Sequence, residues 1–177
     1  MYLNDGGPVL FKQIGTSYGV ATRPATKAGG FCVFRGIDEI HEVENLSELP
    51  SEFLRVEFKT DPKDVRTLKG RFFQAVPSGQ NLEQVQFEND QIRITRVTYA
   101  PGRSIRIGTA ASEPSLLIAL QAAHLREPSG AAFTVRVGHE RWVPANSAVA
   151  FENAGPESSE FLRFDFKTAP ISPSIER

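Results

Sequence analysis

Hydrophobic residues in this chain alternate with polar ones over short stretches and do not keep helical spacing over any long stretch. Four stretches rich in β-branched and aromatic residues predict strands at 91–100, 115–121, 132–137 and 161–168. Most of them end at turn signals such as Pro101-Gly102, and 14 glycines and 12 prolines interrupt the chain throughout. Short strands about ten residues apart predict an all-β sandwich or barrel.

One segment of the chain occurs twice. Residues 44–62, ENLSELPSEFLRVEFKTDP, recur 108 positions later as ENAGPESSEFLRFDFKTAP, with 11 of 19 positions identical and no gap. In FLRVEFKT (53–60) apolar residues alternate with charged ones, and FLRFDFKT (161–168) repeats the alternation. This period of two predicts a half-buried strand with one solvated face in each copy. The repeat therefore predicts two related units.

The repeat also predicts which unit is complete. The ungapped alignment places PVLF (8–11) on LLIA (116–119), whereas the counterpart of 87–110 would fall before Met1. An incomplete sheet exposes unpaired backbone groups, so we expect a cover from the connector, the other copy or a second molecule. The alternative is that the natural chain starts further upstream. The predicted organisation is an incomplete repeat at 1–64, a connector at 65–84 with a candidate strand at 71–76, a complete barrel at 85–171 and a tail at 172–177.

Composition excludes several classes of function. The 177 residues include 20 Lys and Arg against 21 Asp and Glu, a net charge of −1, which predicts neither a nucleic-acid nor a membrane partner. The single cysteine, Cys32, excludes an intrachain disulfide and is interpreted as a small buried hydrophobic residue. No apolar run reaches membrane-spanning length and the chain as given has no secretion signal. We therefore expect a soluble protein, with the cytoplasm as the default compartment.

Four phrases of the second copy resemble those of a cupin barrel. They are FENDQIRITRVTYAPG, SLLIALQ, RWVP and FENAGPESSEFLRFDFK, and they occur in the order that the family shows. The resemblance implies a double-stranded β-helix, or jelly roll, over 87–168. Together with the repeat it implies a bicupin-like protein with an incomplete first barrel.

The chain departs from this family in its metal motifs. The two histidines of the first motif fall on Gly108 and Ala110, its acidic ligand falls near Pro114 or Ser115, and the histidine of the second motif falls on Val149. A first-row metal needs about three or four donor side chains. The resemblance therefore implies a barrel with no metal and no other cofactor. In the first copy His41 takes the position of Val149, and we interpret it as a hydrogen-bonded histidine.

Arg106 is the candidate ligand-binding residue. Period-two geometry on a strand over 104–110 places it on the same face as Gly108 and Ala110, where the family's histidines point into the barrel. There its guanidinium could hold a carboxylate or phosphate. The alternative is a structural ion pair with Glu113 or Glu152. The candidate ligand-binding interior comprises Arg106, Gly108, Ala110, Ser115 and Val149.

Three other features have both a functional and a structural interpretation. The room left by the missing imidazoles is either a pocket or is filled by Leu117, Phe133 and Phe151. His124 and His139 are interpreted as surface residues. Trp142 is interpreted as packing across the sheet, with stacking on a planar ligand as the alternative.

No catalytic residue is assigned. The chain has neither a G-x-S-x-G elbow nor a phosphate-binding P-loop. The favoured function is that of a metal-free cupin-like protein, which either binds a small polar or anionic molecule in its barrel or has a structural role. The alternative is an enzyme of the isomerase or dioxygenase class with a non-standard or incomplete site. The open first repeat also predicts association into a homodimer.

Overall fold

The structure is a computed structural model that describes residues 1–15, 19–34, 40–73, 81–107, 113–147 and 149–167, with the backbone alone at 69–73 and 105–107. These residues form fourteen strands and one short 3-10 helix, at Val65–Thr67. None of the helical structure in these ranges is long and apolar enough to cross a membrane. The chain divides into two compact units, a first unit of 1–56 with 68–77 and a second unit of 57–67 with 78–177.

The first unit contains two small antiparallel sheets. One has three strands in the order β2-β1-β4, and the other pairs β3 with β5. The first unit thus takes in a strand from the segment predicted as a connector, and that strand begins two residues before the candidate at 71–76. Residues 74–76 lie outside the described residues. The strands are β1 Val9–Gln13, β2 Val20–Arg23, β3 Phe31–Phe34, β4 His41–Asn45 and β5 Lys69–Phe73.

The second unit contains two larger sheets. Their strands are β6 Leu82–Glu88, β7 Ile92–Tyr99, β8 Ser104–Ile107, β9 Ser115–Ala119, β10 Ala123–Arg126, β11 Ala132–Val135, β12 Glu140–Val143, β13 Val149–Asn153 and β14 Ser159–Phe166. One sheet has the order β12-β9-β14-β7-β6 and the other β11-β10-β13-β8. Apart from β6, eight antiparallel strands are divided equally between two sheets, in the double Greek-key arrangement of a jelly roll. The fold is therefore all-β with a cupin-like double-stranded β-helix, as predicted.

The core of the second unit lies between its two sheets. Period-two alternation sends Val97, Leu117 and Phe161 to this inner face, where they are almost fully buried. The opposite face of the five-stranded sheet is buried as well, for example at Ile118 and Leu162. This explains why β7, β9 and β14 read as nearly continuous apolar runs. The inner cluster consists of Val97, Tyr99, Leu117, Ala119, Ala123, Leu125, Val135, Val143, Phe151 and Phe161.

The two copies of the repeat share one turn in atomic detail. After β13, the Asn153 side chain donates to the carbonyl of Glu157 at 2.7 Å and accepts from the Gly155 amide at 3.2 Å. After β4, Asn45 makes the corresponding bonds with the carbonyl of Leu49 (2.6 Å) and the amide of Ser47 (3.1 Å). An Asn side chain stabilises such a turn by replacing backbone partners. This turn accounts for the Glu-Asn pair at the start of both copies.

The predicted strands at 91–100, 115–121, 132–137 and 161–168 are confirmed within two residues at their described ends. The predicted strand at 53–60 is wrong, because this segment forms only an isolated bridge between Phe53 and Tyr2. Its counterpart β14 pairs with both β7 and β9. A strand needs neighbouring backbone along its length, and in the described part of the first unit the regular backbone pairing with the N-terminal segment ends at Leu54, which exchanges two hydrogen bonds with Met1.

The pairing also corrects the ungapped alignment near the N-terminus. At the offset of 108, β4 corresponds residue for residue to β13. β1 pairs with β4 through Val9 and Asn45, as β10 pairs with β13 through Leu125 and Asn153. The three-strand order β2-β1-β4 thus matches β11-β10-β13. β1 is therefore the counterpart of β10, whereas the alignment had assigned 8–11 to the region of β9.

Candidate functional site

The centre of the jelly roll is occupied by its own side chains. Leu117 and Phe151 are buried, and the rings of Phe133 and Phe151 meet edge to face with centroids 5.7 Å apart. The described side chains leave a cavity of about 10 Å³, which has room for about one water molecule. Around these described side chains the interior is filled, whereas Gly108 and Ala110, where the imidazoles are missing, lie outside the described residues.

The predicted ligand-binding residues lie on different strands. Ser115 begins β9 and is buried, and its hydroxyl donates to Asp165 Oδ1 at 2.7 Å. Val149 begins β13 in the other sheet and packs against the inner cluster. Gly108 and Ala110 lie outside the described residues.

The strand register gives the backbone position of Arg106. In the pairing of β8 with β13, Arg106 lies opposite Ala150, whereas the core residues Val149 and Phe151 lie opposite Ile107 and Ile105. Residues that lie directly opposite each other share a face of the sheet. The register therefore gives no support to a position facing the interior, and the role of Arg106 stays a prediction.

A polar network extends from Ser115 along β14. Asp165, which accepts from Ser115, also accepts from Arg163 Nε at 3.1 Å. Arg163 Nη1 lies 3.7 Å from Glu83 Oε2, and the Tyr99 hydroxyl donates to Glu83 Oε1 at 2.8 Å. Burial and this bond to Glu83 raise the pKa of Tyr99, so the phenol remains protonated. Because these groups satisfy one another, the network ties β6, β7, β9 and β14 together.

This network corrects the prediction of a solvated face on 161–168. Arg163 and Asp165 share a face with Phe161, which belongs to the inner cluster, and both charged side chains are mostly buried. Phe164, on the opposite face, is buried as well. The predicted alternation of charged and apolar residues is confirmed, but the charged face points towards the interior.

The small cavity has two basic residues in its lining. His139 and Arg141 line it together with the apolar side chains of the core. The Arg141 guanidinium lies over the Phe151 ring, with Cζ 5.0 Å from the centroid, and its Nη2 is 3.7 Å from Glu127 Oε1. His139 had been assigned to the surface, and it is exposed. Arg141 on β12 lies opposite the core residue Leu117, and this register brings its side chain to the edge of the cavity.

Another ion pair lies in the five-stranded sheet, on the face opposite to the inner cluster. Arg96 on β7 and Glu160 on β14 form a buried salt bridge, and Gln121 Nε2 donates to Glu160 Oε2 at 3.2 Å. Such a pair is costly to break once it is desolvated. The residues are 64 positions apart, and nothing in the local sequence pattern pairs them. The buried pair joins β7 to β14.

The first unit presents its histidine and cysteine separately. His41 stacks on Phe11 with ring centroids 4.3 Å apart, and Arg23 lies 4.8 Å from the same ring. Cys32 is half-buried, and burial raises the pKa of its thiol. Over the described ranges of both units, no three His, Cys, Asp or Glu side chains are grouped so that they could hold a metal ion.

Two further sequence interpretations concern single side chains. His124 is exposed and shares a hydrogen bond of 2.9 Å with the Thr134 hydroxyl through Nδ1. Trp142 packs at a tilt against Phe166, with ring centroids 5.6 Å apart, and about half of its surface is exposed. Both side chains therefore have structural partners within the second unit.

No protein-family model matches the chain, and no curated protein matches it. Several solved structures are similar. A cupin domain from Bordetella pertussis Tohama I is 15% identical, covering 53% of this chain and 100% of its own, with a TM-score of 0.41. An RmlC-like cupin protein from Desulfovibrio desulfuricans is 11% identical, with 52% and 90% covered and a TM-score of 0.44. An uncharacterised protein with a double-stranded β-helix domain from Klebsiella pneumoniae is 14% identical, with 52% and 82% covered and a TM-score of 0.42. The assignment of the fold rests on the strand order of the chain itself.

Proposed function

We propose that this chain is a non-catalytic, metal-free cupin-like protein with a structural role, exercised by association into a homodimer. The observation that supports the proposal is the packing of the described barrel residues, among which the cavity lined by Leu117, Phe133 and Phe151 measures about 10 Å³ and holds about one water molecule. A small polar or anionic substrate needs more room and more polar partners than these residues offer. The Gly, Ala and Val at the family's ligand positions agree with this role.

The exposed apolar side chains of the first unit support association. Among its described residues only Val9 and Phe31 are buried large hydrophobic side chains, whereas nine others are exposed. Contiguous exposed apolar surface on a small protein marks an interaction site. Two of these residues are neighbours, because the Ile14 amide donates to the Ile40 carbonyl at 2.8 Å. A two-fold dimer is the commonest assembly of a single type of chain. The nine exposed residues are Ile14, Val20, Phe34, Ile40, Val43, Leu46, Leu49, Phe53 and Val56.

Sedimentation velocity over a concentration series tests this proposal. We expect a dimer for the wild-type chain and at least roughly tenfold weaker dimerisation for Ile14→Glu, because a charge in an apolar interface is left without a partner. The matched control is Val137→Glu in the second unit, since the exposed fractions of Ile14 and Val137 are 48% and 47%. A wild-type chain that stays monomeric at every concentration contradicts the proposal.

A second candidate function is the binding of a small anion at the edge of the cavity. It is favoured by one observation, namely that His139 and Arg141 both line this cavity. Thermal unfolding with and without phosphate distinguishes it from the first proposal. If an anion binds there, phosphate stabilises the wild-type chain and not Arg141→Ala. Equal stabilisation of both proteins contradicts the site.

A further inference from the structure

The three-stranded sheet of the first unit ends at β4 with an accessible edge. β4 pairs with β1 on one side, and no described strand pairs with it on the other. Glu42, Val43 and Glu44 are all exposed, with 54% of Val43 accessible. The edge of a sheet presents backbone donors and acceptors to which another strand can be added.

In the second unit, the corresponding edge is paired with another strand. β13 corresponds to β4 in sequence and pairs with β10 as β4 pairs with β1. On its other side β13 pairs with β8, which reads Ser-Ile-Arg-Ile. The accessible edge of β4 is therefore equivalent to the edge that β8 covers in the complete barrel. An added strand in the same register would be antiparallel to β4.

Differences between the two edges define the chemistry of that strand. Opposite Arg106 of β8 lies Ala150, and the residue of β4 at this position is Glu42. A basic residue there would face an opposite charge across the strands, which stabilises a pair of strands. Opposite Ile105 lies Phe151, and its counterpart is Val43, which also suits an apolar neighbour. The edge of β4 thus offers an opposite charge to the basic residue of an apolar-basic-apolar strand, which the edge of β13 does not.

The same charges disfavour a second β4 as the occupant. Two antiparallel copies of β4 centred on Val43 would place Glu42 of each copy opposite Glu44 of the other. Like charges directly opposite each other destabilise paired strands. The occupant therefore differs from β4 in its charge pattern.

We propose that the edge of β4 is a docking site for an extended segment of another polypeptide in which a basic residue lies between two apolar ones. The basic side chain pairs with Glu42, and an apolar side chain next to it lies opposite Val43. This site goes beyond self-association and does not depend on it.

Fluorescence anisotropy with a labelled peptide tests the site on the full-length chain. The probe is PGRSIRI, the sequence of residues 101–107. We expect saturable binding to the wild-type chain and roughly two- to tenfold weaker binding to Glu42→Lys, because the cross-strand pair becomes a like-charge pair. A peptide with Glu in place of the arginine that corresponds to Arg106, PGRSIEI, should reverse this order and bind Glu42→Lys more tightly than the wild-type chain. The matched control is Glu48→Lys, which makes the same change of charge at an exposed residue outside β4.

Each outcome supports or overturns the site. Absence of saturable binding overturns it, and so does binding that Glu42→Lys and Glu48→Lys weaken equally, since that indicates only general attraction between charges. The titration is repeated with Ile14→Glu. If Ile14→Glu does not dimerise but still binds the peptide, the docking site does not depend on the proposed dimer. If the wild-type chain dimerises but binds no peptide, the docking site is overturned and the proposed function is not.

Discussion

The two copies of the repeat show how much of a fold depends on neighbours rather than on local sequence. Phe53 and Phe161 occupy the same position in FLR segments that differ at no residue, yet Phe53 is 63% exposed and Phe161 is 2% exposed. In the second unit the segment lies between β7 and β9, and in the first unit it forms a single bridge. Identical residues thus make a central strand in one setting and a segment with a single bridge in the other.

The turns after β4 and β13 show the opposite behaviour. Asn45 and Asn153 make the same two local hydrogen bonds in both units. Only Asn153 is buried, and only Asn153 adds a bond to the Tyr99 carbonyl on β7, at 3.0 Å. Local hydrogen bonds therefore survive the loss of the surrounding barrel, whereas long strands do not.

The largest difference between the copies is expected from truncation of the paired phenylalanines. Phe161→Ala should lower the free energy of unfolding by about 3–5 kcal/mol, because it leaves a cavity in the inner cluster. At protein concentrations too low for dimerisation, Phe53→Ala should change it by less than about 0.5 kcal/mol, as an exposed substitution does. Urea unfolding of both variants measures the two values. Similar losses would show that Phe53 is buried in solution and would break the comparison.

A smaller difference is expected for the paired asparagines. Asn153→Ala should cost about 1–3 kcal/mol, because buried carbonyl groups lose their donor. Asn45→Ala should cost less than about 1 kcal/mol, since its partners are exposed and water replaces the side chain. Urea unfolding again measures both. If Asn45→Ala is the more costly change, the turn of the first unit is more important to stability than its exposure indicates.

The smallest effect is expected at a surface ion pair of the complete copy. Hydrogen bonds from Arg93 and Lys167 lower the pKa of Glu88 from 4.5 to about 2. A lowered folded-state pKa stabilises the fold above pH 4.5, and this contribution disappears as the pH falls through about 2. The difference in unfolding free energy between wild type and Glu88→Gln should therefore shrink from pH 5 to pH 2. Since Glu88 is more than one third exposed, salt should reduce the difference at pH 7. A difference that does not vary with pH would contradict the ion pair.

The sequence predicted the parts of the fold that depend on short-range pattern. Alternation and turn signals located the strands of the second unit, and four phrases in order predicted its jelly roll. The same reasoning failed at 53–60, where the alternation is intact but the neighbouring strands are missing. It also misjudged the charged face of 161–168, because period two separates two faces without saying which of them points inwards.

The candidate site was less predictable because it depends on contacts between distant residues. The bond between Ser115 and Asp165 joins residues 50 positions apart, and the buried pair of Arg96 and Glu160 joins residues 64 positions apart. A one-residue difference in register decides whether Arg106 lies opposite Ala150 or a core residue. The lack of metal ligands at the positions that the resemblance implies stays a prediction.

The account depends on a barrel without the means to bind a catalytic metal. Metal analysis of the full-length chain, purified without chelating agents, tests this most directly. We expect far less than one equivalent of Fe, Mn, Ni or Zn per chain, because Gly108, Ala110 and Val149 provide no side-chain donor. A near-stoichiometric content of any of these metals would contradict the account and restore the enzymatic alternative.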